Sequence, residues 1–282
     1  MISTETSTES EAAWDEGLLR DPHAVADKRS RVRRMFAAIA PSYDLNNRLH
    51  SLWMDQHWRS TAVKLADVQR TDVLVDVACG TGDLTLKLAD RLVEVYNLNA
   101  GSYPLVPPRD QVFGIDFTYE MLPLARDKAR AQPVRGARAY NMNQIAQWLC
   151  GDATALPLPD ASADVVTIAF GIRNVADPSA AVREFRRILR PGGRLLILEF
   201  SLPTNPILRG LYNFYFRKVL PRTATLISGD TSGAYKYLPE SVNTFIGRQQ
   251  MMQLMRDAGL EQVQQFPMTF GVCICYVGIV PA

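Results

Sequence analysis

The chain has few cysteines, no long apolar run and almost no net charge, and each scarcity closes off a class of function. Four cysteines in 282 residues, at 79, 150, 273 and 275, include no Cys-x-x-Cys pair. Three sit in apolar, strand-like contexts, so small buried hydrophobes in a reducing compartment are expected; a Cys273/Cys275 metal pair lacks further ligands, and no metal is expected. A formal charge of +2 gives no electrostatic footprint for nucleic acid. No stretch is long and apolar enough to span a bilayer, and the Ser/Thr/Glu-rich N-terminus lacks the apolar core of a secretory signal. The expectation is a soluble, cytoplasmic protein. What is present, 47 % hydrophobic residues, suffices for one α/β domain with a sizeable core and a modest extension.

The stretch Val73–Asp83, VLVDVACGTGD, organises the rest. Alternating branched apolar residues suit a buried strand, and a helix-like run, LTLKLADRL, follows. Between them Gly80 and Gly82, lacking Cβ, allow a tight turn and close approach of backbone to ligand. Asp76 stands at the strand end and Asp83 at the helix start. Phosphate loops favour exposed amides and a helix N-terminus free to face an anion. Carboxylates flanking the turn instead favour a ligand with amino or hydroxyl donors, of which S-adenosylmethionine is one: ammonium, sulfonium, ribose diol and no phosphate. The plainer reading, a strand–turn–helix without ligand, stays open on this motif alone.

Residues 1–30 read as a disordered or loosely attached arm. Residues 31–282 form one domain, beginning with a helical lid over 31–66. Strands follow at 73–77, QVFGID (Gln111–Asp116), WLCGD (Trp148–Asp152), ADVVTIAFGIRN and RLLILEFS, alternating with helices. Thr118 is a candidate cap for the helix after Asp116. Inserted loops are expected at about 96–110 and 135–147, and a substrate-side helical region at 202–245. The spacing predicts a doubly wound, Rossmann-like, mostly parallel seven-stranded sheet, with EQVQQFPMTFGVCICYVGIV closing it as an antiparallel C-terminal hairpin. Ligands in such sheets bind beyond the carboxyl ends of the strands.

Four stretches together resemble the ubiquinone/menaquinone biosynthesis C-methyltransferase family, within the class I S-adenosylmethionine-dependent methyltransferases. They are YDLNNRLHSLWMDQHWR (Tyr43–Arg59), FGIRN (Phe170–Asn174), RILRPGGRLLILEFS (Arg187–Ser201), and the pair YKYLPES and TFGVCICYVG. The chain departs from the family pattern at Asn46, His50, Asp55 and Tyr276. The resemblance implies S-adenosylmethionine as methyl donor and a polyprenylated quinol as acceptor. The leading expectation is demethylmenaquinol to menaquinol. The alternatives are 2-methoxy-6-polyprenyl-1,4-benzoquinol methylation and a non-catalytic cofactor-binding scaffold, the last disfavoured by an intact glycine loop.

The resemblance implies cofactor contacts at Thr81, Ala153 and Ala169. Asp116, ending the second strand, can accept from a ribose diol, and Asp152, which with Ala153 resembles the family's adenine site, from an adenine amine; the plainer readings are a helix-terminus charge and a turn residue. Arg173, in the loop after the fourth strand, is the candidate for chemistry. A phenol titrates near 10, and a guanidinium beside it favours the phenolate that pushes electron density onto a ring carbon. Tyr43, Asp44, Asn47 and Trp58 would form a lid or substrate wall, with Asn174 beside them. Asp44 is the candidate proton acceptor and His57 a surface histidine.

Asn205–Arg222, NPILRGLYNFYFRKVLPR, sets Leu208, Leu211, Tyr212 and Tyr215 at helical spacing among Arg209, Arg217, Lys218 and Arg222. This composition suits peripheral contact with the inner face of a membrane. The same stripe would equally pack on the sheet or on a second subunit of a homodimer.

Overall fold

Leu74–Val77 (β1) buries all four of its residues, as a strand covered on both faces must. The structure is a computed structural model describing residues 13–98, 106–230 and 232–282. Before β1 stand α1 (Lys28–Ile39), α2 (Tyr43–Ser51) and α3 (Met54–Leu65). After it come α4 (Asp83–Asn97), β2 (Val112–Asp116), α5 (Met121–Ala131), β3 (Pro133–Val134), β4 (Ala137–Asn141), β5 (Ala146–Cys150) and β6 (Ala163–Ala169). Then follow α6 (Pro178–Ile188), β7 (Leu189–Phe200), α7 (Pro206–Phe214), α8 (Leu220–Ser228), α9 (Ala234–Thr244), α10 (Arg248–Asp257), β8 (Glu261–Met268) and β9 (Cys273–Ile279).

The seven-stranded sheet runs β5-β2-β1-β6-β7-β9-β8. Within it β9 alone runs against the other six strands, pairing Leu198 with Cys275 on one side and Phe266 with Cys275 on the other. The expected doubly wound sheet with its C-terminal hairpin is therefore present. Order reverses between β1 and β6, so their carboxyl ends open a crevice. On one face Leu74, Val112 and Leu196 pack under α3 and α4 through Ala62, Leu88 and Leu92. On the other, Val75, Val166 and Ile197 meet Phe185 of α6 and Met251 and Met255 of α10.

A third core roofs the crevice. Trp14, Met35, Tyr212, Phe216, Leu220, Tyr235 and Tyr237 come from the N-terminal arm, α1 and the α7–α9 region. This corrects the reading of 1–30 as a loose arm over the part the structure describes. Trp14 is 2 % exposed and stacks on Tyr237 with ring centroids 4.4 Å apart. Isolated apolar residues in a polar stretch carry no periodicity, yet Ala13, Trp14 and Leu19 are all buried. Residues 1–12 lie outside the described part.

Other boundaries also move. The expected loop at 135–147 contains β4, which pairs with β3 as a small ribbon, and β5 begins at Ala146. Of the loop at 96–110, residues 99–105 lie outside the described part. Thr118 does not cap α5, which starts at Met121; its amide is held by Asp116 Oδ1 at 2.7 Å. Between α7 and α8 the chain makes a π turn over Tyr215–Val219, just before Pro221, which has no amide to donate to the helix ladder. Cys150 is exposed, while the other three cysteines are buried. No helix among the described residues is long and apolar enough to cross a membrane.

Candidate active site

The carboxyl ends of β1, β2 and β6 meet around a cavity of about 290 Å³, walled by Val77, Ala78, Asp116, Phe117, Ala153 and Ala169 among others. Two residues of its wall hold strained backbone: Ala78 and Phe170, neither a glycine, have φ of +52° and +58°. Such conformations persist where surroundings over-determine them. Gly171 is required between them, because a Cβ there would lie 2.6 Å from the Ala78 Cβ.

Asp116 is 8 % exposed. Its two oxygens accept from the amides of Gly80 and Thr118, each at 2.7 Å. Burial raises its pKa against those two bonds. Each oxygen keeps a second acceptor site. At the far end Asp152 Oδ1 accepts from the Thr154 amide at 2.8 Å, and Oδ2 pairs with Arg29 at 2.6 Å. Arg29 also lies over the Phe117 ring, 4.5 Å from its centroid. Gly80 leaves open space where a Cβ would stand. Apolar walls with a carboxylate at each end suit a ligand offering a diol and an amine, and the arginine in the lining, Arg29, is already paired with Asp152.

A second cavity of about 70 Å³ adjoins the first through shared walls at Phe36, Tyr43 and Phe170. Tyr235, Tyr237 and Phe200 make it aromatic, and two arginines enter it. Arg173 donates to Glu199 Oε1 and to the Phe170 carbonyl, both at 2.7 Å. Burial works against its charge, but Glu199, with Tyr237 and Tyr43, more than offsets this and holds the guanidinium above its ordinary pKa. Arg59 donates to Asp55 Oδ2 at 2.9 Å and lies 5.0 Å from the Phe170 ring centroid. Ser51 Oγ donates to Asp55 Oδ1 at 2.8 Å. Tyr43, half-buried between the cavities, has its pKa raised by desolvation.

A family model described as the ubiE/COQ5 methyltransferase family matches residues 24–280. The chain belongs to that family. It is 38 % identical over 256 residues, 91 % of each chain, to the ubiquinone/menaquinone biosynthesis C-methyltransferase UbiE of Geobacter sulfurreducens. It is 43 % identical to the demethylmenaquinone methyltransferase of Thermus thermophilus, covering 86 % of this chain and 99 % of that one. The corresponding enzyme of Deinococcus radiodurans is 40 % identical over 89 % of this chain and 93 % of its own. In fold it is similar to a SAM-dependent methyltransferase of Thermotoga maritima, with TM-score 0.54 at 20 % identity, covering 88 % of this chain and 99 % of that one. The chain is thus an S-adenosylmethionine-dependent methyltransferase, and the donor set of the first cavity fits that cofactor.

Within this methyltransferase the residues singled out from sequence fall into three groups. Gly80, Asp116, Asp152, Ala153, Ala169 and Asn174 line the first cavity, Asn47 and Arg173 the second, and Tyr43 both. Asp76 lines neither. Strand alternation turns it away from the Val77 side, and its carboxylate accepts from Thr85 Oγ1 at 2.6 Å and Thr167 Oγ1 at 2.8 Å. Gly82 serves packing, since a Cβ there would lie 2.6 Å from Trp148 at a φ of +82°. Thr81 and Asp44 bind each other at 2.6 Å, and Lys128 pairs with Asp44 at 2.5 Å, fastening α2 to the glycine loop. Asp44 therefore does not face the ring cavity as a proton acceptor. Trp58 is a backing wall, 3 % exposed, its Nε1 donating to Thr269 Oγ1 at 2.8 Å. Tyr276 is buried against a different cleft, beside Arg248 and Gln265.

Sequence reading missed Glu199, Asp55 and Arg59. Glu199 was signalled by a lone charge inside RLLILEFS. The four-residue spacing of Asp55 and Arg59, one helical turn, was a signal for the other pair.

Proposed function

We propose that this methyltransferase moves a methyl group from S-adenosylmethionine in the first cavity to a ring carbon of a polyprenylated quinol in the second. The observation that carries this reading is the shared wall: a cavity with diol and amine acceptors abuts an aromatic one holding two buried guanidiniums. The names of the Thermus and Deinococcus relatives favour demethylmenaquinol as the acceptor.

The bound cofactor supplies a methyl on a good leaving group, so alignment supplies much of the rate. Asp116 takes the ribose diol and Asp152 the adenine amine. Phe36, Tyr43 and Phe170 set the distance between ring and donor. Arg173 holds one ring oxygen as the phenolate, whose proton leaves to solvent as the quinol binds, and so raises electron density at the neighbouring carbon; being always protonated, the guanidinium stabilises charge and does not remove the proton. Once the new C–C bond has formed and the methyl–sulfur bond has broken, the ring carbon must lose its hydrogen as a proton. Asp55 is the carboxylate lining the ring cavity and takes that role. In Asp55→Asn, turnover should fall by about 10²-fold or more while cofactor affinity holds; unchanged turnover would remove Asp55 from the reaction.

A quinol with a prenyl tail resides in lipid, so the protein must meet a bilayer surface. The stripe expected from sequence does not stay whole. Tyr212 packs inward, and Tyr215 donates to the His50 carbonyl at 3.1 Å. Ile207, Leu211 and Phe214, at i, i+4 and i+7, form the exposed face of α7, at 74 %, 63 % and 64 % exposure. Arg209, Lys218 and Arg222 are exposed nearby, whereas Arg217 pairs with Glu240 at 2.8 Å. We assign this face to an anionic lipid surface.

A further inference from the structure

Lys28, the first residue of α1, is 2 % exposed. Lysine is almost never buried without a partner, and the usual partner is a carboxylate. Here the ammonium instead donates to the Arg173 carbonyl at 2.8 Å, the Val175 carbonyl at 2.7 Å and His23 Nδ1 at 3.2 Å. His23 Nε2 donates in turn to the Ser241 carbonyl at 2.9 Å, which leaves Nδ1 as the acceptor. All three donors of the ammonium are thus used. Two of them close the carboxyl end of the short turn Ile172–Asn174, where carbonyls lack helical partners and a cation is favoured.

That turn carries one side chain into each cavity, Arg173 into the aromatic one and Asn174 into the other. Asn174 also accepts from Tyr237 Oη at 3.0 Å. The helix that Lys28 begins supplies Val32 and Phe36 to the first cavity and Met35, Phe36 and Ile39 to the second. We infer that Lys28 is a positioning residue for methyl transfer: it fastens the lid helix α1 to the backbone of the Arg173 turn and so fixes the guanidinium relative to both cavities. The inference rests on the proposed function for its kinetic consequence, but not for its structural one.

The neighbouring residue makes a useful contrast. Arg29 grips Asp152 at the other end of the cofactor cavity, but its side chain is 59 % exposed. A pair of that kind contributes little. Lys28 is the buried fastening of the two. Its surroundings are His23 and Asp21 from the segment before α1, and Arg173 backed by Glu199. Burial first, then Arg173, lower its pKa to about 8.

Lys28→Met keeps the length of the side chain and removes the donors. Turnover should fall at least tenfold, with the quinol KM and the cofactor Kd within threefold of wild type. Amide exchange at 172–175 should accelerate while exchange in β1, β6 and β7 stays as it was. That second readout needs no quinol, so it separates failure of this inference from failure of the substrate assignment. Turnover within twofold of wild type, or exchange raised evenly across the sheet, would overturn the positioning role. Should the variant not fold, Lys28→Gln supplies the test: its shorter amide cannot reach both carbonyls and His23, so turnover should fall and exchange at 172–175 should accelerate in the same way. Wild-type values of both would overturn the inference.

Discussion

The Arg173 guanidinium reaches from the turn after β6 to Glu199 on β7 at 2.7 Å, with 6 % and 2 % of the two side chains exposed. A buried pair of this kind need not add stability, but removing one partner strands the other charge at a cost of about 3–5 kcal/mol. Placing this pair next to an aromatic cavity keeps a cation dry, where its field on a ring oxygen is least screened.

Arg173→Lys keeps the charge but loses the planar guanidinium, whose Nη1 donates to both Glu199 and the Phe170 carbonyl while Nε reaches Ser241 Oγ. Turnover should drop by about 10²-fold or more while cofactor Kd moves less than threefold, since the interaction strengthens as the oxygen ionises. Single-turnover kinetics alongside calorimetry check this. Equal losses in both quantities would point to a collapsed site.

Asp116→Ala should weaken S-adenosylmethionine binding by about 1–3 kcal/mol, because buried hydroxyl donors lose their acceptor. Calorimetry reads the change directly. Unchanged affinity would take Asp116 out of the cofactor site and leave it as the anchor of the Gly80 and Thr118 amides.

Gly171→Ala should destabilise the fold, its new Cβ lying 2.6 Å from that of Ala78 and 3.0 Å from Ile168 Cγ1. Overpacking of this kind costs about 1–3 kcal/mol. Ala78→Gly removes one of the colliding atoms and also relieves a φ of +52°. A double-mutant cycle by denaturant unfolding should therefore show coupling of about 1 kcal/mol or more in the rescuing direction. Strict additivity would mean the two strand ends relax independently.

Asp76 gives a pH prediction. Burial lifts its carboxyl to about 6, against two threonine hydroxyl bonds, from an ordinary 3.8. A carboxyl raised in the folded state contributes most when protonated, so its contribution is full below pH 3.8 and is lost as pH climbs through 6. Asp76→Asn should then be more stable than wild type at pH 7.5, by about 1–3 kcal/mol, with the gain shrinking towards pH 4. Chemical unfolding at both pH values checks the sign, and a gain that grows on acidification would reverse it.

For the lipid face, Leu211→Ser/Phe214→Ser should reduce co-flotation with anionic vesicles and leave turnover on a detergent-dispersed quinol near wild type. High salt should weaken the wild-type attachment. Flotation unaffected by both changes would return α7 to a packing role.

Much of this was legible in the chain, for physical reasons. Strand and helix periods mark β1, β2, β6, β7 and the helices between them, and carboxyl-end residues such as Asp116, Asp152 and Ala169 reach the cavity because topology puts every such end on one side. Orientation was less legible. Asp76 is one residue from Val77, and that single step turns it to the opposite face, into the hydroxyls of Thr85 and Thr167. Pairings distant in sequence were hidden as well: Glu199 lies 26 residues beyond Arg173, and Lys28 reaches 145 and 147 residues along the chain. Trp14 could not be placed from a polar segment without a repeat, although the third core forms around it.

Transfer of a methyl group to a ring carbon of a quinol can be read directly. Incubating the protein with carbon-13 methyl-labelled S-adenosylmethionine and, in separate reactions, demethylmenaquinol and 2-methoxy-6-polyprenyl-1,4-benzoquinol reads it by mass and by the carbon shift of the product methyl. Label should appear on a ring carbon, with demethylmenaquinol the faster acceptor. Label on an oxygen, or no transfer to either quinol by protein that binds the cofactor, would contradict it.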